Sequence, residues 1–252
     1  AKGVIAEADS LLVYGNIIED TAVLAATINT FSGPMGYVFA RNDLANAYYH
    51  MARNFYHAHD YATAADYYIL CDRLNPTDPM YKGRVNSCMG FLCKQDSCFE
   101  EALEFYQRSS CAFKESGSEW YYAHNLLNVA EQYVNLKEYA RADSVLDIAK
   151  GYEIDSAYYA RMLDVYALSL YNQKLYDSAL VMLLSIKDYP RNIDAKTYSY
   201  LMIARCYNQL LKIDKAKYYA EYVITHSYNS SFRSNAYYIL IQSAEIEDNI
   251  NQ

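Results

Sequence analysis

Glycine and proline are scarce in this 252-residue chain, 8 and 4 residues, or about 5 % together, where average usage gives roughly 12 %. An all-β sandwich or barrel needs a Gly- or Pro-bearing turn about every 8–12 residues, so that class is excluded. No apolar run approaches the roughly 18 residues of a membrane span, and no charged-then-apolar signal segment opens the chain. It begins with Ala1, which leaves a processed product or an upstream targeting segment open. Basic charge is also short: 22 Lys and Arg stand against 30 Asp and Glu, a net −8. General binding of nucleic acid or of an anionic membrane relies on the opposite balance, although a local basic patch is compatible with it.

The six cysteines, at 71, 88, 93, 98, 111 and 206, lack the C-x2-C spacing of zinc knuckles. On a helix Cys88 and Cys93 fall about 140° apart. They read as small packing residues, and a thiol enzyme is a minor alternative. The histidines His50, His57 and His59 do not share one face, so no metal site is expected. P-loop, dinucleotide-binding, nucleophile-elbow and H-E-x-x-H motifs are absent. No catalytic residue and no cofactor is expected.

What the chain does have is tyrosine, 30 residues of it, within 53 % hydrophobic and 21 % charged residues. It also has a repeat. Small residues recur at Ala64, Ala102, Ala142, Ala179 and Ala216, spaced 38, 40, 37 and 37. A second series lies twelve residues upstream of each: Ala52, Gly90, Ala130, Ala167 and Ala204. Apolar residues follow three positions later at Phe55, Cys93, Tyr133, Leu170 and Tyr207. Two helices per period satisfy this register, each with a small residue at its centre and aromatics at i−4, i+3 or i+4. Short polar links such as Gln95-Asp96 and Lys137-Glu138 suit antiparallel neighbours. The six Tyr-Tyr pairs then send one ring to a hairpin core and the other outward; at 48–49, Tyr48 turns inward and Tyr49 outward.

The first clear copy, Tyr48, Met51, Ala52, Phe55, Ala64, Tyr68 and Pro76, resembles the tetratricopeptide repeat, as do Leu126, Val129, Ala130, Tyr133, Ala142 and Leu146. The period of 37–40 exceeds that family's 34. The resemblance implies an all-α, right-handed α-solenoid of helical hairpins. Five repeats are expected within 37–231, at about 44–78, 80–117, 119–152, 156–190 and 193–228. A degenerate helical pair is expected at 1–32, and a cap helix or truncated repeat at 232–252.

In that family the first helix of each hairpin lines a concave groove through positions −6, −3, +1 and +4 from its central small residue. Carried over, these positions include Asn46, Tyr49, Arg53, Tyr56, Arg84, Phe91, Lys94, His124, Arg161, Tyr171, Tyr198, Arg205 and Asn208. They also include the acids Glu131 and Asp164, so five cations meet two anions in a protein of net −8. Arginine beside tyrosine offers bidentate carboxylate recognition and cation–π contact. The same arginines could instead pair between repeats.

The expected function is a non-catalytic scaffold holding a protein or peptide segment, with an acidic one fitting the charge. The alternative is the peptide- or glycan-capturing part of a larger bacterial surface or signalling protein. Triplets such as Asp143-Ser144-Val145 and Asp155-Ser156-Ala157 resemble a bacterial extracytoplasmic glycosylation signal and lean the location that way. Asp-Ser is also an ordinary helix start, so a cytoplasmic location stays open, as does the oligomeric state.

Overall fold

A computed structural model describes residues 41–250 apart from 59, 75, 76 and 153, with side chains described between 44 and 246. The expected helical pair at 1–32 lies outside the described residues, as do His59 and Pro76. Among the described residues there are eleven α-helices and no strand. They are α1 Arg41–His57, α2 Tyr61–Arg73, α3 Pro79–Gln95, α4 Phe99–Glu115, α5 Glu119–Asn135 and α6 Tyr139–Ala149. Then come α7 Ser156–Asn172, α8 Tyr176–Ile186, α9 Ile193–Gln209, α10 Ile213–His226 and α11 Ser230–Ile250.

The odd-numbered helices from α1 to α9 are first helices, each of 17 residues. Three of their starts are written in the sequence as side-chain caps. Asp78 accepts from the amide of Met80, Asp155 from Tyr158 and Asn192 from Ala195, each satisfying a backbone donor that the helix leaves open. Asp155 of the Asp155-Ser156-Ala157 triplet is thus the N-cap of α7.

Their ends share one device. The amides of Asp60, Cys98, Glu138, Leu175 and Lys212 return to the carbonyls of Phe55, Cys93, Tyr133, Leu170 and Tyr207. That is the six-to-one hydrogen bond of a Schellman closure. The closure needs a left-handed residue, and Ser97, Lys137, Lys174 and Leu211 supply it with φ between 56° and 64°. None of them is glycine, so each carries the steric cost of its Cβ in that conformation.

The chain divides into two compact units, residues 1–125 and 126–252. In the first, α1 packs on α2, α2 on α3 and α3 on α4. Aromatic rings against small residues hold these crossings. A Cβ placed on Gly83 would sit 2.5 Å from the Phe113 ring, and one on Gly90 would sit 3.0 Å from the Tyr106 ring. Ser109 Oγ donates to the Gly83 carbonyl at 2.7 Å across the same contact. Glycine is required here by the approach of a ring and not by backbone conformation.

In the second unit every helix from α6 to α10 packs on its successor, and the first helices also meet each other, α7 with α9 and α9 with α11. The central small residues Ala130, Ala167 and Ala204 are fully buried, with Leu146, Leu183, Leu201 and Ile203 around them.

Candidate functional site

Three stripes run along each first helix. Positions −4, 0 and +3 face the hairpin's own second helix: Tyr48 and Phe55 lie against Tyr67, and Tyr200 and Tyr207 against Tyr219. Tyr81 and Tyr121 at −9 and Ser199 at −5 meet the preceding first helix, whereas Asn128 at −2 of α5 meets the following one. Positions −6, −3, +1 and +4, those expected to meet a ligand, contact the following first helix at several points.

In the first unit, Tyr81 Oη donates to Asn46 Oδ1 at 2.6 Å. One repeat later Arg84 Nη2 donates to Tyr121 Oη at 3.0 Å. Its guanidinium carbon also stands 5.1 Å from the centre of the Tyr121 ring. Both pairs join position −6 of one first helix to position −9 of the next.

Tyr49 does not face outward. It is 6 % exposed, edge-on to Tyr81 at 5.6 Å and tilted against Tyr68 at 6.1 Å. The next first helix approaches closely enough at −3 to cover the ring, so Tyr49 is core and Tyr48 is only half-buried. Burial pushes the Tyr49 hydroxyl up to about 12, with Cys88 adding to the rise and Arg84 and Arg53 opposing it.

The other first-unit candidates remain at least partly accessible. Tyr56 meets Phe91 edge-on at 5.3 Å, and Lys94 sits in the last turn of α3. His124 stacks on the half-exposed Trp120 ring at 3.9 Å. Arg53 is half-buried near Tyr49 and Cys88.

In the second unit the contacts run both ways, Arg161 of α7 reaching back to α5 and Arg205 of α9 forward to α11. Arg161 Nη2 donates to Asn128 Oδ1 at 2.5 Å and Arg205 Nη2 to Asn235 Oδ1 at 2.9 Å. Tyr198, at −6, meets Phe232 of α11 at 5.9 Å. Burial raises its hydroxyl pKa, as do the charges of Glu131 and Asp164, while Arg205 and Arg161 oppose the rise. Tyr171 packs on Tyr176 at 5.3 Å. Asn208, 5 % exposed, is no surface residue either. Its amide donates to Gln242 Oε1 at 3.0 Å and its Oδ1 accepts from Ser243 Oγ at 3.3 Å. Like Tyr49, it is covered by the following first helix.

A buried ion pair completes this unit, and the sequence pattern does not reveal it. Arg191, in the loop before α9, donates from Nη1 to Asp164 Oδ2 at 2.7 Å and from Nη2 to Ser199 Oγ at 3.0 Å. Ser199 donates to Asp164 Oδ1 at 2.5 Å. The two charged side chains are 2 % and 7 % exposed. Burial lifts the Asp164 carboxyl to about 6, although Ser199, Arg191 and Arg161 all favour its ionised form. Asp164 occupies position −3 of α7 and Ser199 position −5 of α9, so the network ties two first helices together. Arg191 occurs in one copy only, and no periodic signal could have marked it.

Among the described residues, no three His, Cys, Asp or Glu side chains converge as a metal site would require. Arg84, Arg161 and Arg205 all donate to neutral oxygens, which leaves their positive charge formally intact and further N–H donors in the guanidinium fork. That arrangement can hold a carboxylate. No family model matches the chain, and no curated protein matches it. Among solved structures it is similar to the crystal structure of BtubC (BKLC) from P. vanneervenii, with a TM-score of 0.50 and 17 % identity over 92 % of this chain and 91 % of that one. At that identity the likeness shows a shared fold alone.

Proposed function

We propose that this chain is a tetratricopeptide-like repeat protein that works by binding, holding acidic peptide segments against the arginine- and tyrosine-bearing faces of its first helices. The observation that carries the reading is the way Arg84, Arg161 and Arg205 are held. Each is fixed in place through a neutral partner, Tyr121, Asn128 or Asn235. A guanidinium positioned in this way has lost much of its freedom and keeps its charge, which lowers the ordering cost of meeting a carboxylate. Tyr121 and Tyr198 add flat surface beside these charges.

Catalysis by thiol is not part of the reading. Burial pushes Cys71 and Cys206 up to about 12, with nearby Asp72 and Cys88 adding to the rise at Cys71. A nucleophilic thiol needs the opposite shift.

The test is an array of acidic, neutral and basic peptides probed with the whole chain and with an Arg84→Glu, Arg161→Glu, Arg205→Glu variant. The acidic peptides should bind the parent and be lost by the variant, with far-UV circular dichroism unchanged. Equal binding by parent and variant refutes the reading.

A further inference from the structure

The closures that end the first helices bring together two side chains as well as two backbone groups. The residue that donates its amide and the one whose carbonyl accepts it lie side by side, and a contact between their side chains commonly accompanies this closure. In four copies the two places hold Phe55 and Asp60, Tyr133 and Glu138, Leu170 and Leu175, and Tyr207 and Lys212. In the second hairpin both are cysteines. Cys98 donates its amide to the Cys93 carbonyl at 2.9 Å, and the left-handed Ser97 donates to the Lys94 carbonyl at 3.1 Å.

An amide-to-carbonyl bond of that length brings the two α-carbons within the roughly 4.4–6.8 Å that a disulfide spans. Both residues are thiols, Cys98 exposed and Cys93 half-buried. Cys98 Sγ holds the Asp96 carbonyl loosely, at 3.7 Å. Burial, with the charges of Cys98, Glu101 and Asp96, keeps the Cys93 thiol above its ordinary value, so the two sulfurs lie within electrostatic reach of each other. The remaining cysteines are placed less well. Cys88 precedes Cys93 on the same helix, about 140° around it, and packs beside Tyr68. Cys111 stands 13 residues after Cys98, about 20 Å along α4. Cys71 is buried with its thiol on the Ala45 carbonyl, and Cys206 is buried as well.

We propose that Cys93 and Cys98 form a redox-reversible dithiol site, closed across the link between α3 and α4 by a low-molecular-weight disulfide. The exposed Cys98 reacts first. Its thiol gives a proton to water and its sulfur attacks one sulfur of the oxidant, whose S–S bond breaks and releases one thiol. Cys93 then gives up its proton and attacks the Cys98 sulfur, releasing the second half of the oxidant as a thiol. Two protein thiols lose two electrons, the small disulfide gains them, and the two protons end on the released thiols. The new bond fastens the last turn of α3, which carries Lys94, to the start of α4.

The test is mass spectrometry of the whole reduced chain after native exposure to millimolar glutathione disulfide. Two of the six thiols should be lost, the chain should become lighter by two hydrogens, and dithiothreitol should restore both thiols. Trypsin cuts after Lys94, so the two cysteines leave on separate peptides, 85–94 and 95–108. These should be recovered as one linked species, with fragmentation placing the bond at Cys93 and not at Cys88. Cys93→Ser should stop at the intermediate, with one glutathione held on Cys98, and Cys98→Ser should keep its thiols; helical circular dichroism should be unchanged in both. A parent chain that keeps both thiols free, or that holds glutathione on Cys98 without closing, overturns the proposal. A bond at Cys88, or the same loss of two hydrogens in Cys98→Ser, overturns it equally.

Discussion

The two units fasten their helices to one another with different chemistry. In the first, rings do the fastening: Tyr49 lies against Tyr81, Arg84 lies over Tyr121, and Phe113 and Tyr106 close on Gly83 and Gly90. In the second, α7 is tied to α9 through Asp164, Arg191 and Ser199. A ring on a glycine fails by overpacking, with a cost that rises with each added carbon. A buried ion pair fails through charge: losing one partner strands the other in a medium that solvates it poorly. The units should therefore respond differently to pH and to conservative substitution. Trp120, the single tryptophan, belongs to the first unit, so its fluorescence reports that unit while circular dichroism reports both.

The largest effect is expected from Arg191→Met, which leaves the Asp164 carboxylate buried without its cation. The second unit should lose about 3–5 kcal/mol at pH 7, seen in urea as an earlier circular dichroism transition with a smaller change in Trp120 fluorescence. Replacing both partners, Asp164→Leu with Arg191→Met, should recover most of the loss, because apolar residues need no compensating charge.

Next comes Gly83→Ala, which drives a methyl group into the Phe113 ring and should cost the first unit about 1–3 kcal/mol. Here the Trp120 transition should move first.

The pH response sharpens the comparison further. The folded pKa of Asp164, about 6, lies above its unfolded value of about 3.9. Between those values the folded chain holds a proton that the unfolded chain has released, so this group's contribution to stability falls as pH rises from about 4 to 6. Asp164→Asn should flatten that dependence in a pH series of urea midpoints, and the Trp120 transition should show little of it. The smallest effect is a gain: Lys137→Gly and Lys174→Gly relieve a left-handed backbone and should each add about 0.5–1 kcal/mol.

Much of the helical pattern was legible because small residues must recur wherever two helices cross closely. Every position in the series from Ala52 to Ala204 is buried. The candidate site was less legible. Tyr49 and Asn208 sit at positions that read as groove, yet the following first helix covers them. Which stripe of a helix its neighbour covers depends on how closely and at what angle the two pack, and one helix's spacing carries neither quantity. The left-handed Ser97, Lys137, Lys174 and Leu211 left no glycine signal, although they close every first helix for which they are described. Arg191 had no counterpart to betray it.

The most direct test of the central claim separates two roles for the same arginines, ligand holder and rung between repeats. Arg161→Gln with Arg205→Gln keeps an amide that can donate to Asn128 and Asn235 while removing both charges. Fluorescence anisotropy with a labelled Asp- and Glu-rich peptide should show affinity falling at least about tenfold, or 1.4 kcal/mol, with an unchanged urea midpoint. Unchanged affinity together with a lowered midpoint would contradict the account and leave these arginines as parts of the stack alone.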